Sequence, residues 1–60
     1  MTSTQKQRLI AKGLRLKRKS LDYASKAMYA RSTSSRIKYE AKSEMLYAEG
    51  ESYLRQARED

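Results

Sequence analysis

The stretch Ala30-Arg31-Ser32-Thr33-Ser34-Ser35-Arg36 decides how this 60-residue chain is read. Four small hydroxyl residues in succession compete for backbone hydrogen bonds, so they favour caps and turns over helix interior. On both sides lie segments rich in Ala, Leu, Lys, Arg, Glu and Gln, which are strong helix formers. Pro and Val are absent, and the β-branched residues are Ile10, Ile37 and three Thr. No segment alternates apolar and polar residues over the length of a strand. The expected fold class is therefore all-α, with two helices joined by a short Ser-rich connection.

The expected boundaries are a polar tail over 1–4, a basic helix over 5–30, a connection over 31–35 and a second helix over 36–58. Thr33, Ser34 and Ser35 are the candidate N-caps of the second helix. A helical hairpin follows if the serine cluster breaks the chain. A bent long helix is the competing arrangement, because neither Gly nor Pro stands in the connection. Gly13 and Gly50 fall inside the two helices, where each costs about 1 kcal/mol relative to Ala. Close helix approach would justify them; otherwise they are tolerated weak points.

A chain this short buries only about 60% of the surface its unfolded form exposes. Small domains of this size usually lean on disulfides, a metal or a partner. Cys and His are both absent, which excludes a disulfide and a structural zinc site, and no cofactor is expected. Packing in an oligomer or a larger assembly is the remaining support. The longest apolar run is Leu9-Ile10-Ala11, too short for a membrane span or a secretory signal. The expected location is intracellular or within a virion.

Charge is unevenly spread. Residues 1–31 hold nine Lys or Arg against Asp22, whereas residues 32–60 hold five against six acids, within a net charge of +7. Arg8, Lys12, Arg15, Lys19 and Lys26 follow helical spacing along one side of the first helix, and Lys17 and Arg18 thicken its middle. Cations so arranged can track a phosphate backbone or an acidic protein groove. A solvated face is the plainer account of helix charges. Against it, Asp22 is the one acid in this half, so local ion pairing cannot neutralise the row.

The apolar residues make more rows than one hairpin needs. Ile10, Leu14, Leu21, Ala24 and Met28 form a stripe on the first helix, broken by Lys17, and it is the expected seam against the second helix. Leu9, Leu16, Tyr23, Ala27 and Ala30 form another. On the second helix, Ile37, Ala41, Met45 and Ala48 make one face, and Tyr39, Leu46, Gly50, Tyr53 and Ala57 make another. The surplus points to a protein partner or to self-association.

Catalysis finds no support. Neighbouring Ser–Lys pairs such as Ser20 with Lys19 project from different sides of a helix, and the Glu40/Glu44 pair reads as exposed charge. The expected function is that of a small non-enzymatic accessory subunit of a larger, nucleoprotein assembly such as a viral one. In it, apolar helix faces dock on protein, and the basic row contacts nucleic acid through phosphates or meets an acidic surface. A dimeric hairpin that binds nucleic acid and a small inhibitor of one host protein are the competing functions.

Overall fold

A computed structural model describes residues 2–59, and it is a helical hairpin: α1 spans Ser3–Met28 and α2 spans Thr33–Arg58. Each helix has 26 residues, about 39 Å at 1.5 Å per residue, and the molecule measures 46 × 13 × 10 Å. No strand occurs among the described residues.

Helix α1 starts earlier than the expected boundary, because Thr2 caps it. The Gln5 backbone N–H donates to Thr2 Oγ1 at 3.2 Å, and the Thr2 N–H donates back to Gln5 Oε1 at 3.0 Å. This reciprocal capping box satisfies two donors that the first turn would otherwise leave open. Thr2 of the expected tail is thus the N-cap, Ser3 and Thr4 belong to the first turn of α1, and Met1 lies outside the described residues. The chain turns through Tyr29–Ser32 without a positive φ at any residue. Ser32 then caps α2: its Oγ accepts from the Ser35 N–H at 3.1 Å and donates to Ser35 Oγ at 2.9 Å. The cap therefore sits one residue ahead of the three candidates.

The seam between the helices is made from small residues. Leu9, Gly13, Leu16, Ser20, Tyr23 and Ala27 of α1, with Ala30 just beyond its end, alternate steps of four and three, and all are buried or half-buried. On α2, the corresponding face is Ser35, Tyr39, Ser43, Leu46, Gly50, Tyr53, Leu54 and Ala57. The most buried positions recur every seven residues on each helix, at Gly13, Ser20 and Ala27 and at Ser43, Gly50 and Ala57, with Ser43 the one half-buried member. A Cβ on Gly13 would stand 2.8 Å from the Gly50 carbonyl oxygen, and a Cβ on Gly50 would stand 2.8 Å from that of Gly13. The two glycines therefore face each other at backbone contact. One level along, Ser43 Oγ donates to the Ser20 carbonyl at 2.7 Å, and Ser20 Oγ donates to the Lys17 carbonyl at 2.7 Å. Residue numbers at both levels add to 63, which is the antiparallel register.

This arrangement corrects the expected seam. Ile10, Leu14, Leu21 and Met28 do not face α2; they are 37%, 55%, 69% and 71% exposed, and Ala24 is exposed beside them. Ile37 and Met45 are likewise exposed on α2, whereas Leu46 and Tyr53 lie in the seam. The cause is steric. Gly, Ser and Ala let the backbones meet and bring the Ser43 hydroxyl within reach of the Ser20 carbonyl, which branched or long side chains at those positions would prevent. Large residues are thereby pushed to the flanks, and among the described residues no large side chain is fully buried.

Candidate functional site

With the seam fixed, helix geometry places the remaining residues of α1 on two opposed flanks. At 3.6 residues per turn, Arg8, Lys12, Arg15, Lys19 and Lys26 cluster about 90° to one side of the seam, and Ile10, Leu14, Leu21 and Met28 about 115° to the other. The five cations are exposed. Arg18 is also exposed, but it projects from the back of α1, away from α2.

Two members of the basic row rest on aromatic rings of the seam. Lys12 Nζ stands 4.6 Å from the centroid of Tyr53, and Lys26 Nζ stands 5.0 Å from that of Tyr23. Cation–π attraction of this kind holds an ammonium head in place while leaving it in water. Tyr23 itself stacks on Tyr39 across the seam, with centroids 6.1 Å apart. Lys38 and Lys42, four residues apart on α2, line the same side as Tyr23 and Tyr39. The cationic surface thus spans both helices, where the sequence pattern had assigned it to α1 alone. The i, i+4 spacing of Lys38 and Lys42 was readable, but their place beside Lys26 depends on the register.

Lys17 leaves the group. Its chain crosses the opposite side of the seam, where Nζ pairs with Glu51 Oε1 and lies 5.0 Å from the Tyr47 ring. The hydrogen bond to Glu51 raises the Lys17 amine above its ordinary value and holds the Glu51 carboxyl below its own, against desolvation that pulls each the other way. Arg58 approaches the second Glu51 oxygen at 4.0 Å. Neither of these ion pairs draws on Arg8, Lys12, Arg15, Lys19 or Lys26.

The apolar flank of α1 adjoins a charged strip of α2. Ala24, Ala27 and Met28 line an open groove with Arg36, Glu40, Ser43 and Glu44. Near the termini, Ile10 meets Leu54, Ala57, Lys6 and Arg58 around a second groove. Among the described residues, no group of three or more His, Cys, Asp or Glu could hold a metal ion, and no helix is long and apolar enough to cross a membrane. Comparison with protein-family models, curated proteins and solved structures gives no match to this chain.

Proposed function

We propose that this chain is a small non-enzymatic adaptor of a nucleoprotein assembly. Its basic face, Arg8, Lys12, Arg15, Lys19 and Lys26 with Lys38 and Lys42, contacts nucleic acid through phosphates. Its apolar flank, Ile10, Leu14, Leu21 and Met28, docks on protein. The observation that carries this reading is the segregation of the two sets to opposite sides of one seam. Cations also border the apolar flank, where Lys17 pairs with Glu51 and Lys6, Arg36 and Arg58 edge the grooves; what distinguishes the basic face is that its cations align from both helices along one edge.

A salt titration of nucleic-acid binding tests the proposal. Releasing counterions from five to seven phosphates gives a log–log slope of about −4 to −6 on duplex and about −3.5 to −5 on single strands. Reversing Lys12, Arg15 and Lys19 to Glu should cut affinity and flatten that slope. Affinity indifferent to ionic strength, or to the triple reversal, rejects the phosphate contact.

A dimeric hairpin is the second reading, favoured by the spacing of the exposed flank. Positions 10, 14, 17, 21, 24 and 28 alternate four and three, as a second helix-packing seam does, with Lys17 drawn aside by Glu51. Sedimentation of the isolated chain separates the two: a dimer supports self-association, and a monomer leaves the flank for another protein.

A further inference from the structure

Beside the Tyr23–Tyr39 pair opens a shallow groove of about 350 Å³, floored by the two rings with Ala41 and Met45 and edged by Lys38 and Lys42. The ring planes lie 30° from parallel, and Lys26 stands over Tyr23 from the other helix. Lys38 and Lys42 thus line an apolar, partly aromatic groove whose lining includes no carboxylate, and Lys26 stands nearby over Tyr23.

The chemistry of floor and rim selects among polyanions. A polyphosphate or a run of acidic residues alone would satisfy the lysines and leave the floor facing water. A duplex presents its phosphates but keeps its base faces stacked inside. An unpaired nucleotide offers both parts, a planar base for the apolar floor and phosphates on either side for the lysines. Further along the same edge, Lys12 over Tyr53 repeats the combination. It lies about 21 Å from Lys26 along α1 at 1.5 Å per residue, and Arg15 and Lys19 stand between the two.

We infer that this groove seats one unpaired nucleotide of a single-stranded nucleic acid, its base against Tyr39 and Met45 and its flanking phosphates on Lys26, Lys38 and Lys42. The inference rests on the nucleic-acid reading proposed above and narrows it from any phosphate backbone to a single strand.

The test uses the full chain and three labelled probes followed by fluorescence anisotropy: a 12-nucleotide oligothymidine, an abasic phosphodiester of equal length and a 12-base-pair duplex. Oligothymidine should bind about 10-fold or more tightly than the abasic strand, the scale of base–aromatic stacking, and more tightly than the duplex. Tyr39→Leu should bring the ratio of oligothymidine to abasic affinity towards one. Lys38→Gln with Lys42→Gln should weaken both strands and reduce the salt slope by about 1.4. Because Tyr39 packs in the seam, circular dichroism accompanies that variant, while the wild-type comparison of base and abasic strands needs no variant. Equal, salt-dependent binding of all three probes overturns the nucleotide seat and spares the wider reading. So does polyglutamate that competes as well as oligothymidine. If no probe binds in a salt-dependent way, both fall.

Discussion

Replacing Gly13 by Ala should destabilise the hairpin while stabilising its first helix in isolation. In a free helix the change is favourable by about 1 kcal/mol, because Ala loses less backbone freedom than Gly. Within the hairpin, the new Cβ would stand 2.7 Å from Leu54 Cγ and 2.8 Å from the Gly50 carbonyl oxygen. Leu54 can rotate, but the carbonyl belongs to the backbone of α2. To reach ordinary contact, which begins at 3.4 Å, it must retreat by about 0.6 Å and carry the helix axis with it. Overpacking of this kind costs about 1–3 kcal/mol, so the net change is a loss of about 0–2 kcal/mol. For a domain of this size, a loss of 1 kcal/mol lowers Tm by about 4–8 °C. Thermal unfolding followed by circular dichroism at 222 nm measures it, with a peptide of residues 1–30 as the control. Gly50→Ala meets the Gly13 carbonyl at the same 2.8 Å, and one widening of the seam relieves both clashes. The double variant should therefore lose less than the sum of the singles, a coupling of about 0.5 kcal/mol or more. A rise in Tm of the intact chain on Gly13→Ala, comparable to the gain in the peptide, would refute the backbone-contact seam.

Ser43→Ala removes the hydrogen bond to the Ser20 carbonyl and should cost about 0.5–1.5 kcal/mol, read from the same melting curves. Leu14→Asp with Leu21→Asp should leave the hairpin's melting temperature within a few degrees, since both side chains are more than half exposed, yet should abolish self-association or co-purification with a protein partner. The Lys17–Glu51 pair contributes most between the ordinary values of its two groups, 4.5 and 10.5. The lowered Glu51 value means that its contribution fades as pH falls below 4.5, and the raised Lys17 value means that it fades as pH climbs beyond 10.5. Helicity compared between the wild type and Glu51→Gln should therefore differ most in the middle of this range and converge at both ends, with Tyr47 and Arg58 contributing to the same cluster.

The helices and their break were legible because they depend on local chemistry. The hydroxyl run forces a cap, and Thr2 with Gln5 spells a capping box in four residues. The seam is harder to read, because apolar bulk is not what marks burial in this hairpin. Ile10, Leu14, Leu21 and Met28 make the more hydrophobic stripe, yet Gly13, Ser20 and Ala27 allow the closer approach. The readable signal was a coincidence: small residues every seven positions on both helices, at 13, 20 and 27 and at 43, 50 and 57. On the candidate site, the α1 row was evident from spacing alone. Lys38, Lys42 and the Tyr23–Tyr39 stack required the register, since residues 16 apart in sequence meet only once the chain has folded back.

The geometry of the two surfaces imposes an order on how the hairpin should respond to ligands. The apolar flank lies on α1 alone, so a protein docked there can recognise the first helix whether or not α2 is packed on it. The nucleotide seat, in contrast, takes Lys26 from α1 and Lys38 and Lys42 from α2 around rings that stack across the seam. It exists only in the closed hairpin. A ligand that binds only the closed form stabilises it by about 2.7 kcal/mol at a hundredfold excess over Kd, more than the loss expected for Gly13→Ala. Saturating oligothymidine should therefore raise the Tm of the wild type and restore the closed hairpin in Gly13→Ala, whereas the variant's affinity should fall by the closing cost alone. A variant that binds with undiminished affinity while its seam is open would show that recognition does not need the two helices packed together, and would remove the closed-hairpin seat.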